Sequence, residues 1–480
     1  MNKTWPSSVY NSENFRNQGQ QLIELMTKHL SDAIQGEQKT INWNLPEDEL
    51  AFWKEYLENG DQEDFFKEII KRTTHVHNPK CTGHQVAAPA PITALTGLVS
   101  SIFNNGMAVY EMGMSPNAIE RIVCDILGNR LGYTEASRGI LTSGGTLANL
   151  TALLAARKVK VEHDVWKEGH TKPLAIMVSE EAHYCVDRAA KIMGLGDAGI
   201  IKIPVTNDFT MDISQLENHY QETKSKGIHV FAIVGSAPAT ATGIYDDLKA
   251  IGDFAKKYNL WFHVDGAHGG AAIFSKKYRH LLDGTAQSDS VVIDGHKMLM
   301  MPTITTALLF KDGEHSYTTF SQKADYLLID TDEEDWYNSG KRTFECTKTM
   351  MCMHWFILLK MYGEEVFEQN VTDLYDKARD FANLIHKDER FELAVEPMSN
   401  ILCFRYLEDG LNLEEINILN QKIRQRLLEE GEYYFVQTKL NGIHYLRTTL
   451  MNPFTTLEHL SYLLEKIKIE AKNVLKSQAS

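Results

Sequence analysis

Between residues 174 and 294 the chain repeats one arrangement: a short, unbroken apolar run that stops at a polar residue. The runs are "LAIMVS" (174–179), "IIKIPV" (200–205), "VFAIVGS" (230–236), "LWFHVD" (260–265) and "SVVID" (290–294). A strand with one wet face alternates apolar and polar positions. Unbroken runs of this length instead predict strands covered on both faces, and so a mainly parallel α/β sheet. Helical periodicity over 146–160 and 245–258 lies between or before these runs. Upstream, 13–35 and 46–72 predict helices, and "HVHNPKCTGHQVAAPAP" (75–91) breaks the pattern with three prolines. Beyond residue 345 long helices (347–361, 363–386, 412–430, 455–475) surround strands in "FELAVE", "NILCFRY" and "IHYLRTT". The expected organisation is an N-terminal helical segment (1–91), a large α/β domain (92–361) and a smaller α+β domain (362–480).

In an open parallel sheet, ligands gather at the carboxyl ends of the strands, and there the polar residues of this chain fall. "SVVID" runs into "GHKML", which delivers Lys297 to a strand end, although lysine is seldom buried without a partner. "LWFHVD" ends in Asp265, followed by "GAHGGA". "LAIMVS" runs into Glu180, Glu181, Ala182 and His183. "TSGGTLANLTALLAAR" (142–157) sets Ser143, Gly144, Gly145 and Thr146 before a strong helix, where glycines admit an anion to free N–H groups. Each alone has an ordinary explanation: a snorkelling lysine, a turn aspartate, a structural histidine, an N-cap. Together they supply what pyridoxal phosphate needs. That cofactor requires a phosphate cradle (Gly145, Thr146), a Schiff-base lysine (Lys297), an acidic partner for its pyridine nitrogen (Asp265) and a flat group on its ring (His183).

Composition narrows the alternatives. The 480 residues carry 49 Lys+Arg against 64 Asp+Glu, a formal net charge of -15, which argues against nucleic-acid binding. Six cysteines without a Cys-x-x-Cys pair read as reduced thiols of a cytoplasmic protein. With no signal-peptide h-region and no run of about 18 apolar residues, a soluble protein without a membrane partner is expected. The glycine fingerprints of dinucleotide and nucleoside-triphosphate sites are absent, which disfavours a nicotinamide-binding protein.

With these residues in hand, the chain resembles the group II pyridoxal-phosphate-dependent amino-acid decarboxylases, which act on aromatic amino acids, glutamate, histidine or 2,4-diaminobutyrate. The resemblance runs from about residue 70 to the end. "DGHKML" is similar to the family's lysine segment, placing Asp294 and His296 on the phosphate side of Lys297. "HVDGAHGG" is similar to its Val-Asp-Ala-Ala segment, with Asp265 at the pyridine nitrogen and Ala267 under the ring. "HYCVDRAAKIMGLG" places His183 over the ring. Two departures occur: Met298 replaces the usual Trp, and Ala239 replaces a Thr in "GSAPATATG", leaving Thr240 as the nearer contact. The resemblance implies a fold-type I, aspartate-aminotransferase-like architecture, pyridoxal 5'-phosphate as cofactor and a homodimer on whose partner the N-terminal segment packs.

It also implies decarboxylation of an L-amino acid to its amine through a Lys297 Schiff base. Tyr326, on the polar loop "SQKADYLLIDTDEEDWYNSGKRTFECTK" (321–348), would give the proton to Cα, with Tyr337 as the reserve candidate. Arg447, in "HYLRTTLMNP", resembles the arginine that meets the substrate carboxylate. His84 and Gln85, in "NPKCTGHQVAAP", stand where aromatic decarboxylases carry aromatic residues, and favour a polar substrate, diaminobutyrate-like or acidic. The alternatives are an aromatic-L-amino-acid decarboxylase, a transaminase, a cysteine desulfurase using Cys346, or a fold that keeps the cofactor without catalysis.

Overall fold

The structure is a computed structural model and describes residues 5–320 and 335–479. The chain divides into two compact units. The larger comprises Gln85–Ala382 with Leu393–Leu402; the other comprises Met1–His84, Asn383–Glu392 and Cys403–Ser480.

The larger unit is built on seven strands: β1 (Arg138–Thr142), β2 (Leu174–Ser179), β3 (Ile200–Ile203), β4 (His229–Ser236), β5 (Trp261–Asp265), β6 (Ser290–Asp294) and β7 (Thr306–Phe310). Their order is β1-β7-β6-β5-β4-β2-β3, and β7 runs antiparallel between β1 and β6. The pairings β2/β3, β2/β4, β4/β5 and β5/β6 are parallel. The five predicted strands are all present. "IIKIPV" pairs with β2 only as far as Ile203; Pro204 has no N–H to donate, and Val205 bridges instead to Met211.

Both faces of the sheet are covered, which is why its strands read as unbroken apolar runs. On one face lies the helix Gly145–Lys160, whose buried Ala148, Ala152, Leu153, Ala155 and Ala156 pack on Ile176, Val178, Phe231, Val234, Trp261, Val292 and Leu308. Four small alanines along that face let the helix axis approach the sheet closely. The opposite face meets the helix Leu248–Tyr258, where Gly235 leaves just enough room for Leu248 and Ile251.

A second sheet has four strands, β8 (Phe391–Leu393), β9 (Ile401–Tyr406), β10 (Val436–Leu440) and β11 (Ile443–Thr449), in the order β10-β11-β9-β8, and most of its residues belong to the other unit. The helix Leu413–Glu430 packs on β11 and on the helix Leu457–Ala479. Asn412 starts the first of these with a reciprocal cap: its Oδ1 accepts from the Glu415 N–H at 3.1 Å, and Glu415 Oε2 accepts from the Asn412 N–H at 2.8 Å. The region predicted as one helix over 46–72 is two, Pro46–Asn59 and Phe65–Arg72. Gly60 ends the first, and Asp61 starts the intervening turn by accepting from the Glu63 N–H at 2.9 Å. No helix among the described residues is long and apolar enough to cross a membrane.

Candidate active site

The carboxyl ends of β1, β2, β4, β5 and β6 surround a cavity of about 270 Å³ in the larger unit. Its wall contains Gly145, Thr146, His183, Thr240, Asp265, Ala267, Asp294, His296 and Lys297, every residue predicted from the sequence to touch a cofactor.

The lysine end of the site is held by β7, a strand absent from the hydrophobic-run pattern. Asp294 closes β6 opposite Thr306 of β7, and Thr306 Oγ1 donates to Asp294 Oδ1 at 2.5 Å. The Gly295 N–H donates to the Thr305 carbonyl at 2.9 Å, and His296 Nδ1 lies 2.9 Å from the same carbonyl. Gly295 must be glycine, since a Cβ there would lie 2.6 Å from Met301 Sδ and from the Trp355 ring. From this braced turn Lys297 reaches back until its Nζ is 3.0 Å from Asp294 Oδ2, with His296 Nε2 3.6 Å from the same oxygen. Met298, at the family's Trp position, is fully buried and its carbonyl accepts from Asn370 Nδ2 at 2.8 Å.

Asp265 ends β5. Its Oδ1 accepts from the Ala267 N–H at 3.2 Å, which steers the carboxylate along the turn that carries Ala267 into the wall. His183 is the N-cap of the helix Tyr184–Ile192, and its Nδ1 accepts from the Cys185 N–H at 3.3 Å. Burial lowers its pKa, outweighing the raising effect of the Asp265 carboxylate; Lys297 adds to the lowering. The ring is therefore neutral at neutral pH.

Across from these groups the helix Gly145–Lys160 begins at Gly144, whose φ of +108° suits glycine and which no side chain caps. The first N–H groups of the helix are thus left for a ligand. At Gly145 a Cβ would sit 3.3 Å from Asp294 Oδ1 and 3.5 Å from the Ala267 Cβ, within space that a cradled group needs. An uncapped helix start, a lysine amine, a carboxylate and a flat neutral ring around one cavity fit pyridoxal phosphate. Gly145, Thr146, Thr240, Asp294 and His296 would hold its phosphate side, Asp265 its pyridine nitrogen, and His183 and Ala267 the two ring faces. When bound, the cofactor supplies an electron sink for the charge left on an amino acid's Cα as CO₂ departs.

Other predicted residues lie elsewhere. Tyr326 is outside the described residues. Tyr337 is not in the cavity wall; its ring lies 5.5 Å from that of Tyr110, and its carbonyl accepts from Asn117 Nδ2 at 2.6 Å. His84 and Arg447 belong to the other unit, where burial first and then the Arg447 charge lower the pKa of His84. Gln85 opens the larger unit, and its buried Nε2 has no hydrogen-bond partner among the described residues. Cys346 is exposed and outside the cavity wall. Conversely, Asn149, Cys185, Ser236, Pro238, His268 and Ile304 line the cavity without having been singled out. One of them left a trace: Asn149 is a polar residue in the apolar run "LANLTALLAA", within a helix interior that disfavours asparagine.

A sheet whose strand ends gather these groups is that of a pyridoxal-phosphate enzyme, and comparison with known proteins narrows the class. The pyridoxal-dependent decarboxylase conserved domain matches residues 51–407, and the chain belongs to that family. It is 28% identical to an L-2,4-diaminobutyrate decarboxylase of Acinetobacter baumannii, over 86% of this chain and 84% of that protein. An aspartate 1-decarboxylase of Aliivibrio fischeri is 30% identical over 85% and 82% of the two chains. An aromatic-L-amino-acid decarboxylase of Bacillus atrophaeus is 26% identical over 96% of each. The fold is that of mouse CSAD, with a TM-score of 0.89 at 21% identity over 95% of this chain and 99% of that one. The protein is a fold-type I, pyridoxal-phosphate-dependent amino-acid decarboxylase, a carboxy-lyase.

Proposed function

We propose that the amino acid decarboxylated has a polar side chain, diaminobutyrate-like or acidic, and not an aromatic one. The observation behind this reading is Gln85, which stands outside the cavity wall and whose buried amide Nε2 lacks a partner among the described residues. A buried unpaired donor is unfavourable by about 1–3 kcal/mol, and a polar substrate side chain that reached it would relieve that cost where an apolar ring would not. Such a site rejects substrates without the matching polar group. The diaminobutyrate and aspartate decarboxylases to which the chain is similar act on polar amino acids.

In this reading Lys297 carries the cofactor, Asp265 keeps its ring nitrogen protonated and His183 covers its face. Arg447 takes the substrate carboxylate, and Tyr326 returns a proton to Cα, two roles that rest on the family resemblance. The working form is a homodimer in the cytoplasm. The free state of all six cysteines is in keeping with that compartment, and the apolar residues exposed along the helices Pro91–Phe103 and Pro46–Asn59, among them Ile102, Phe103 and Leu57, with a partner. The test is CO₂ release from a panel of diaminobutyrate, aspartate, glutamate, tyrosine and tryptophan, with and without a keto acid. The highest kcat/KM is expected on a diamino or acidic substrate, without keto-acid dependence. Preference for an aromatic substrate would overturn the side-chain reading, and a keto-acid requirement would point to transamination.

A further inference from the structure

Behind the phosphate end of the cavity runs a line of buried polar groups, of which Asn149 lines the cavity while Trp261, His263 and Ser290 stand outside its wall. Trp261 and His263 project from the same face of β5, two residues apart, toward the helix Gly145–Lys160. Trp261 Nε1 donates to Ser290 Oγ at 2.9 Å, and Ser290 Oγ lies 2.8 Å from His263 Nδ1. His263 Nε2 is 2.7 Å from Asn149 Oδ1. Asn149 Nδ2 donates to the Gly145 carbonyl at 2.9 Å and to Cys185 Sγ at 3.5 Å. The side chains of this line are withdrawn from water: Trp261, His263 and Ser290 are 0% exposed and Asn149 1%.

The donors in this line are determined. An amide oxygen only accepts, so His263 carries its proton on Nε2, and its Nδ1 is the acceptor of the Ser290 hydroxyl. That hydroxyl in turn accepts from the Trp261 indole. Every hydrogen bond therefore points the same way, from Trp261 through Ser290, His263 and Asn149 to the Gly145 carbonyl, and aligned bonds strengthen one another in a low-dielectric interior. Burial holds the His263 pKa down to about 4, outweighing the raising effect of Asp265, so the ring stays neutral in this arrangement at neutral pH.

The line ends at a functional place. The Gly145 carbonyl and the Thr146 N–H belong to one planar trans peptide, so fixing the carbonyl directs the N–H the opposite way. Gly145 and Thr146 both line the cavity at the uncapped helix start. Apolar side chains would fill the space between helix and sheet as well, as the alanines of the same helix do. What the polar line adds is a fixed and polarised peptide at the cavity wall.

We propose that His263 and Asn149 are positioning residues, which orient the Gly145–Thr146 peptide so that its N–H receives the cofactor phosphate. The proposal rests on the reading of Gly145 and Thr146 as phosphate contacts, and the experiment separates the two.

The measurement is the affinity of the cofactor-free protein for pyridoxal phosphate and for pyridoxal, which lacks the phosphate, followed by absorbance. His263→Leu and Asn149→Leu are each expected to weaken pyridoxal phosphate binding about tenfold, the worth of one well-placed hydrogen bond. Pyridoxal binding should stay within about twofold of wild type on the same reasoning. His263→Gln places an amide N–H where Nε2–H stands and should restore most of the preference. Equal losses for both ligands, or no loss for either, would show a purely structural line and overturn the proposal, as would a Gln variant no better than Leu. If His263→Leu fails to fold, Asn149→Leu carries the same comparison. Thr146→Pro removes the N–H itself, at a first-turn position where proline is tolerated. If it leaves the preference for the phosphorylated ligand intact, the cradle reading fails. If it abolishes the preference while the Leu variants keep it, the cradle stands and the positioning role falls.

Discussion

At the scale of single residues, three carboxylates and one amine show how environment assigns work. Lys297 Nζ and Asp294 Oδ2 lie 3.0 Å apart at the end of β6, and both residues line the cavity. Lys297→Ala should still bind pyridoxal phosphate, but without a borohydride-fixable bond; peptide mapping that found the pyridoxyl group on another lysine would reassign the role. On the proposed reading, Asp265→Asn removes the charge that would keep the ring nitrogen protonated. A rate loss on the order of ~10³-fold or more in CO₂ release is expected, several kcal/mol of transition-state stabilisation. A variant within about tenfold of wild type would remove Asp265 from that role. Asp246 is a carboxyl of a different kind. Fully buried, it accepts from the Ser236 and Met211 N–H groups at 2.8 Å each, and burial pushes its pKa up to about 6 from 3.8 despite those bonds. A raised folded-state pKa means that the folded protein holds this proton more tightly than the unfolded chain. The group's contribution is thus fully present below about pH 4 and lost as pH rises through 6. The magnitude is on the order of 3 kcal/mol. Against Asp246→Asn, which cannot titrate, wild type should gain in relative stability as pH falls from 7 to 4. Urea unfolding of both proteins across that range checks the sign, and a constant difference would show that Asp246 does not titrate there.

At the scale of elements, the site depends on strands that differ in how plainly they announce themselves. β2, β4, β5 and β6 are covered on both faces and leave unbroken apolar runs, so the sheet and the polar residues at its strand ends were legible. Three strands were not. β7, "TALLF", has a composition equally suited to a buried helix, and β1, "RGILT", is short and runs straight into the Ser-Gly-Gly turn. β10, "VQTKL", is an edge strand whose alternation of buried and exposed positions gives no apolar run. For the same reason the sequence exposed Lys297 but not its brace, since the contacts from Thr305 and Thr306 depend on β7 pairing antiparallel to β6. Asn149 and His268 escaped because their neighbours in space are distant in sequence: Asn149 meets His263, and His268 Nε2 meets Asn400 Oδ1 at 2.7 Å. The brace itself is testable. Thr306→Val preserves shape and strand propensity but leaves Asp294 Oδ1 without its donor, and a loss of about 1–3 kcal/mol is expected. Chemical denaturation with an unchanged m-value would show this as lost stability; a cost below about 0.5 kcal/mol would mean that water or Lys297 replaces the hydroxyl.

At the scale of the whole chain, the two compact units have different stakes in the cofactor. Every residue predicted to touch it lies in Gln85–Ala382, whereas the β10–β11 hairpin, with Val436 paired to Arg447, belongs to the other unit and has its own sheet and helices. A ligand that binds only the folded state stabilises it by RT ln(1 + [L]/Kd), about 2.7 kcal/mol at a hundredfold excess over Kd. That stabilisation is felt only by opening reactions that destroy the site. Hydrogen exchange on the protein with and without pyridoxal phosphate should therefore divide the chain. Amides of residues 143–149, 263–267 and 292–297 should slow on cofactor binding, by up to about a hundredfold where their exchange requires the larger unit to open. Amides of 436–449 should exchange through openings of their own unit and change little. If the hairpin slowed to the same extent, the two units would open as one cooperative body and the cofactor would stabilise the whole chain. If neither region slowed, the cavity at the strand ends would not be where the cofactor binds. The first of these results would leave the site in place and revise only the folding unit, whereas the second would remove the foundation of the roles assigned to Lys297, Asp265 and His183.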